Sequence, residues 1–151
     1  MSSFKVLKNS ETQTAQINLC DDGIIRVMLK KNSEIDLAKA QENIQAYIDM
    51  IEGKKYAYIF YGENDSVVYT EEARKNAKIH ETLFPKTCVA VLVKTLAHRM
   101  IANFYFKFHK PGYPFKVFDQ MAQAEAWCLE EIQKESRSQG ATSNLNKTVL
   151  F

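Results

Sequence analysis

Two short segments of the chain are apolar at almost every position, and they constrain the fold more than any other feature. Residues 56–61 read Tyr-Ala-Tyr-Ile-Phe-Tyr, and residues 87–93 read Thr-Cys-Val-Ala-Val-Leu-Val. A strand with one face in water alternates apolar and polar residues, whereas a strand covered on both faces is apolar throughout. We therefore predict that Tyr56–Tyr61 and Thr87–Val93 are neighbouring parallel strands in the middle of a sheet.

A β-hairpin is predicted before these two strands. The segment Thr14–Cys20 loosely alternates apolar and polar side chains, as a half-buried strand does, and the strand Ile24–Leu29 places Ile25, Val27 and Leu29 on one side. Between them, the sequence Asp21-Asp22-Gly23 tolerates the backbone angles of a tight reversal. The N-terminal part of the sheet should therefore be antiparallel.

Four helices are predicted, and in two of them, at residues 37–51 and 96–108, apolar side chains recur at three- and four-residue steps. The four helices cover residues 37–51, about 71–80, 96–108 and about 120–136. Asp36, Thr70 and Asp119 precede three of these helices as N-caps, and Gly53 ends the first. With a short strand at Phe115–Phe118, the order is a hairpin, alternating helices and strands, and a closing helix. This order predicts an α/β fold with a mixed sheet of four to five strands.

The length of 151 residues is that of one domain. We predict that the domain covers residues 13–136, after an N-terminal segment 1–12 and before a polar, flexible tail 137–151. We find no apolar run of the length that a signal peptide or a membrane-spanning helix needs, and the cysteines are odd in number and dispersed. We therefore expect a cytoplasmic protein in which the thiols of Cys20, Cys88 and Cys128 are reduced.

The sequence contains no strong catalytic motif. With five glycines it has no phosphate-binding loop, dinucleotide fingerprint or nucleophile elbow. His80, His98 and His109 are too widely spaced for a local zinc site. Cys88 and Cys128 lie in apolar surroundings, where thiols are inert. We therefore predict no catalytic residue, no metal and no cofactor.

One basic stretch is the exception to an otherwise balanced charge pattern. The chain has a net charge of +2, yet residues 82–118 contain six Lys or Arg and no Asp or Glu. Arg99, Asn103 and Lys107 are four positions apart and therefore form one line along the predicted helix. This line indicates either a surface for an anionic partner or a solvated helix edge. Phe106 leaves the apolar stripe of the same helix, which favours a dimer contact or an apolar ligand. The predicted binding residues are Arg99, Asn103, Phe106, Lys107 and Lys110.

Several segments form a family pattern when they are taken together. They are residues 90–95 (Ala-Val-Leu-Val-Lys-Thr), 99–105 (Arg-Met-Ile-Ala-Asn-Phe-Tyr), 110–118 (Lys-Pro-Gly-Tyr-Pro-Phe-Lys-Val-Phe), 124–127 (Ala-Glu-Ala-Trp) and 72–74 (Glu-Ala-Arg). From Gly23 to Ile132 the chain resembles the uncharacterised bacterial SpoIIAA-like, or STAS-like, proteins. The resemblance implies the SpoIIAA-like fold, with helices packed around a mixed sheet.

The better-known relatives of this fold are anti-sigma-factor antagonists, which bind a kinase partner. They are switched by phosphorylation of a serine in an Asp-Ser-Ser-Gly motif at the start of the second helix. The comparable place in this chain reads Val68-Tyr69-Thr70-Glu71, so the motif is absent. Thr70 is therefore both a candidate phospho-acceptor and an ordinary helix cap.

The leading hypothesis is a non-enzymatic regulatory or protein-interaction domain that self-associates and binds an unknown protein partner. The alternative is a protein that binds a small apolar or anionic ligand, since the fold is distantly similar to lipid-carrying CRAL-TRIO domains. The balanced charge does not favour a nucleic-acid partner. An enzyme is the least supported function.

Overall fold

A six-stranded sheet carries the fold, with one long helix on each face. The computed structural model describes residues 3–31, 33–62, 68–73, 75, 84–95 and 112–149, and the side chains of all of these except residues 68, 69 and 139–149. The helices are α1 (Leu37–Ile51) and α2 (Met121–Val149), and residues 71–73 and 75 are also helical. The strands are β1 (Val6–Glu11), β2 (Ala15–Cys20), β3 (Ile24–Leu29), β4 (Glu34–Ile35), β5 (Tyr56–Gly62), β6 (Val68–Tyr69), β7 (Lys86–Leu92) and β8 (Phe115–Phe118).

The strand order in the large sheet is β1-β2-β3-β5-β7-β8. The β1–β2 and β2–β3 pairs are antiparallel, whereas β3, β5, β7 and β8 are parallel to one another. The short strands β4 and β6 form a separate parallel pair. The prediction for the two apolar segments is therefore confirmed, because β5 and β7 are parallel neighbours inside the sheet. The predicted α/β class and the predicted hairpin are confirmed as well.

One strand and one helix end differ from the prediction. Strand β1 was not predicted, and it raises the sheet from four or five strands to six. An edge strand buries little, so β1 lacks the apolar alternation of an inner strand.

The predicted helix end near Ser136 is wrong, since α2 continues to Val149. A helix satisfies its own backbone hydrogen bonds and needs no apolar stripe to continue. The flexibility of residues 137–151 and the domain limits stay predictions.

Each face of the sheet has its own apolar core, because side chains alternate along every strand. Helix α1 covers one face, whose buried side chains include Ile17, Ile25, Val27, Tyr47, Tyr58 and Val89. Helix α2 covers the other face, whose buried side chains include Ile24, Ala57, Ile59, Cys88, Ala90 and Cys128. Neither α1 nor α2 is apolar over a length that would cross a bilayer.

Helix α1 begins and ends at the predicted residues. The Asp36 carboxylate accepts a hydrogen bond of 2.9 Å from the amide of Lys39, as an N-cap does. At the other end, Glu52 (φ 49°) and Gly53 (φ 76°) are both left-handed, which reverses the chain after Ile51.

A buried polar cluster attaches α1 to the turn between β1 and β2. The Thr12 hydroxyl donates to the Asn43 side-chain carbonyl, and the Asn43 amide donates to the Thr14 hydroxyl at 2.9 Å. All three residues are buried. Because each of these buried polar side chains has a hydrogen-bond partner, the bonds offset the cost of removing the groups from water and attach α1 to the turn between β1 and β2.

Candidate functional site

The five predicted binding residues lie in a part of the chain that the structure does not describe, whereas other residues of interest are described. Arg99, Asn103, Phe106, Lys107 and Lys110 all lie outside the described residues. The three histidines lie outside them too. Thr70 and the lysines at positions 86, 94 and 116 of the basic stretch are described.

Thr70 is an N-cap, as predicted. Its hydroxyl oxygen accepts a hydrogen bond of 3.2 Å from the amide of Ala73, and its own amide donates to the carbonyl of Ile35. The following residues Glu71 and Glu72 are exposed at the first turn, where negative charge complements the helix dipole. Phosphorylation of Thr70 would place a dianion beside these two carboxylates and stays a prediction.

Two of the three described lysines of the basic stretch lie near aromatic rings. The Lys86 ammonium lies 3.6 Å from the ring centroid of Phe84 and 4.8 Å from that of Tyr113, and the Lys116 ammonium lies 5.4 Å from the ring of Phe118. The negative ring face attracts the ammonium and restricts its motion. The interleaving of aromatic and basic residues in this stretch therefore has a structural explanation in addition to a functional one.

Lys86 forms part of a cleft that we call the lysine cleft. It has a volume of about 300 Å³ and opens at the amino-terminal ends of the parallel strands β5, β7 and β8. Its wall includes three lysines and two glutamates, and Glu131, Lys134 and Glu135 all belong to α2. Its wall residues are Lys55, Lys86, Thr87, Gly112, Tyr113, Pro114, Glu131, Lys134, Glu135 and Ser138.

The most deeply buried charge in the described residues belongs to Arg26 on β3. The guanidinium donates to both Asp22 carboxylate oxygens, at 3.2 and 2.9 Å, and to a carboxylate oxygen of Glu125 on α2. The ring of Phe4 covers it with a centroid distance of 3.6 Å. Burial lowers the pKa of Arg26, but the hydrogen bonds that the guanidinium donates to the two carboxylates outweigh it and hold the pKa above its ordinary value.

Arg26 links three parts of the fold and has no open side for a ligand among the described residues. It connects the hairpin, Phe4 in the segment before β1, and α2, and the residue is 4% exposed. We therefore assign it a structural role. Sequence reasoning missed this cluster, although a charged residue inside the apolar segment Ile24–Leu29 was a signal that a buried partner exists.

The cysteines are buried, as predicted for Cys88 and Cys128. The contact between the Cys88 and Cys128 thiols, together with burial, raises the pKa of Cys88. Burial also raises the pKa of Cys20, and Arg26 beside it offsets only part of that increase. A protonated, buried thiol is a poor nucleophile. Among the described residues, no three His, Cys, Asp or Glu side chains are grouped to hold a metal ion.

Exposed apolar side chains are concentrated on the outer edge of the sheet. Within the described part of the chain, the large apolar residues that are exposed are Phe4 (41%), Val6 (44%) and Leu7 (60%). All three fall within residues 4–7, with Phe4 just before β1 and Val6 and Leu7 at its start. We call these residues, with the outer backbone of β1, the β1 edge patch.

Comparison with known proteins identifies the family. Residues 18–133 match the model of a domain of unknown function, DUF7793, over more than half of the chain. The chain belongs to the DUF7793 family. The matched span agrees with the predicted family segment Gly23–Ile132, and it contains Arg26 and Glu125 but not β1. No curated protein matches the chain.

A solved structure confirms the fold that the resemblance implied for this DUF7793 protein. The structure is that of an uncharacterised DUF3478-family protein with a SpoIIAA-like fold from Shewanella loihica PV-4. It is similar to this chain with a TM-score of 0.51 and 15% sequence identity, over 85% of this chain and 98% of the other. At that identity the likeness shows the fold alone.

Proposed function

We propose that this DUF7793 protein is a non-enzymatic regulatory interaction domain that associates with a second copy of itself through the β1 edge patch. Its described thiols are buried, and its most buried charge is engaged by two carboxylates. These observations support a binding role over catalysis. The observation that carries the proposal is the concentration of exposed apolar side chains at Phe4–Leu7.

The backbone of β1 supports a symmetric contact. The amide of Asp21 donates to the carbonyl of Lys5 at 2.9 Å, so the backbone of Lys5 faces β2. Antiparallel ladders alternate, and the amide and carbonyl of the next residue, Val6, therefore point away from the sheet. Two copies related by a two-fold axis at Val6 would exchange these hydrogen bonds reciprocally.

The sequence of β1 gives such a contact an apolar centre and a polar rim. Phe4, Val6 and Leu7 of both copies would meet around the axis, and the polar residues 9–11 would lie outside it. Lys8 is already paired with Glu52 at 2.9 Å, which reduces repulsion between the copies. The bulge between Val6 and Lys8, together with the charge of Lys8, protects the rest of the edge from open-ended strand addition.

Sedimentation equilibrium of the full chain tests this proposal with the variants Val6→Lys and Asn9→Lys. We expect wild-type dimers, and Val6→Lys should raise the dimer dissociation constant about tenfold or more, because it places two charges at an apolar centre. Asn9→Lys adds the same charge on the same strand away from the axis and should change the constant less than about threefold. A monomeric wild type, or a dimer unaffected by Val6→Lys, contradicts the proposal.

A further inference from the structure

We propose that Arg26 positions Phe4 at the β1 edge patch, so that the patch is complete only while Arg26 keeps its ion pair with helix α2. The consequence for self-association rests on the proposed function, whereas the contact between Arg26 and Phe4 lies within one copy of the chain. Arg26 is then a positioning residue in addition to a structural one. The contact links an exposed apolar surface to a buried cluster of charges.

Phe4 lies before the first strand, where backbone pairing does not determine the direction of a side chain. Strand β1 begins at Val6. The amide of Lys5 donates to the Asp21 carboxylate at 2.8 Å, and the carbonyl of Lys5 accepts from the Asp21 amide at 2.9 Å. These bonds hold the backbone of the segment but not the ring of Phe4. Because Phe4 is 41% exposed, apolar burial alone holds that ring weakly.

The guanidinium of Arg26 supplies the contact that fixes the ring. Its carbon atom lies 3.6 Å from the ring centroid of Phe4, well within the range of cation–π attraction. The Asp22 and Glu125 carboxylates accept hydrogen bonds from N–H groups that lie in the guanidinium plane. These bonds occupy the edge of the group and leave a face for the ring. Arg26 is 4% exposed, and cation–π attraction is stronger when the cation is removed from water.

The orientation of this guanidinium depends on α2. Glu125 of α2 accepts hydrogen bonds from both Nε and Nη2 of Arg26, whereas Asp22 belongs to the hairpin turn. Carboxylates from two separate elements restrict the guanidinium to one orientation, and loss of Glu125 would return torsional freedom to the side chain. Phe4 would then lose the surface against which it packs. Displacement of α2 from the sheet should therefore disorder the patch and weaken self-association.

Backbone amide relaxation of the full chain tests the positioning in the Val6→Lys background, where self-association is not expected. We expect order parameters of about 0.85 at Phe4 and Lys5. Phe4→Leu keeps an apolar side chain but removes the ring, and it should lower these values to about 0.6 or less. Phe4→Trp supplies another ring that attracts cations and should keep them near the starting values. When Arg26→Met and Glu125→Met are added, the values should already be low, and Phe4→Leu should not lower them further.

Sedimentation equilibrium without Val6→Lys tests the consequence for the dimer. With Arg26 present, Phe4→Leu should raise the dimer dissociation constant about fivefold, which is within the range of a cation–π contact. In the Arg26→Met, Glu125→Met background the same substitution should change the constant less than about twofold. A cycle of variants isolates the part of the effect that depends on Arg26, because the direct contribution of Phe4 to the interface is common to both backgrounds.

Two results would overturn the inference. One is a set of order parameters that Phe4→Leu leaves unchanged, and the other is an equal effect of Phe4→Leu on the dimer in the two backgrounds. The comparison of Phe4→Leu with Phe4→Trp leaves the buried charges intact, so it does not depend on the stability of the double variant. A monomeric wild type contradicts the proposed function, and the order parameters then decide by themselves whether Arg26 positions Phe4.

Discussion

Arg26→Met is expected to lower the free energy of unfolding by about 3–5 kcal/mol. Removal of the guanidinium leaves Asp22 and Glu125 facing each other in a buried site, with side chains only 13% and 11% exposed. Two unpaired carboxylates in a poorly solvated space destabilise the folded state, because their like charges repel and neither carboxylate recovers its hydration. Urea unfolding followed by circular dichroism measures the loss.

Two further variants separate this effect from a general loss of charge. Lys30→Met breaks the exposed ion pair between Lys30 and Glu11, and its effect should be small because water already screens that pair. The double variant Arg26→Met, Glu125→Met should recover part of the stability, because it removes one of the two stranded carboxylates. Equal losses for Arg26→Met and Lys30→Met would show that the buried cluster does not hold α2 to the sheet.

Phe84→Ala is expected to cost about 3–5 kcal/mol of unfolding free energy. Phe84 is 4% exposed and its ring lies 5.5 Å from Tyr47 and 6.1 Å from Tyr58, measured between centroids. Its removal opens a cavity in the aromatic part of the α1 face that the rigid strands β5 and β7 do not fill. Thermal and urea unfolding both measure the change.

Tyr58→Phe in the same cluster should have the opposite outcome. The Tyr58 hydroxyl is buried without a hydrogen-bond partner in the described part of the chain, and burial raises its pKa. Removal of an unsatisfied hydroxyl while the ring stays should leave stability unchanged or raise it by about 1 kcal/mol. A loss above about 1 kcal/mol from Tyr58→Phe would mean that the hydroxyl has a partner that stabilises the fold.

The sequence predicted those elements whose burial is visible in their composition. Tyr56–Tyr61 and Thr87–Val93 were identified as inner strands because every position is apolar, and Asp36 and Thr70 were identified as caps because their chemistry is local. Strand β1 was missed because an edge strand needs neither feature. The length of α2 was missed because its last turns lack an apolar stripe.

The candidate sites depend on contacts between residues far apart in the chain, which a single sequence does not show. Arg26 and Glu125 are separated by 99 positions, and the sequence does not reveal that β3 and α2 meet. The lysine cleft likewise combines Lys55, Lys86 and Lys134. The basic stretch was recognised correctly as charged and aromatic, but the stacking of Lys86 on its neighbours required the structure.

Amide hydrogen exchange, measured residue by residue at low and high protein concentration, tests the two parts of the central claim. These are that β5 and β7 form the stable centre of the sheet and that β1 binds a second copy of the chain. We predict the slowest exchange in β5 and β7 at both concentrations, because these strands are paired on both sides and covered on both faces. The amide of Val6 should exchange rapidly in dilute samples and slow markedly in concentrated ones. Rapid exchange throughout β5 and β7, or a Val6 amide that stays unprotected while the protein dimerises, would contradict the account.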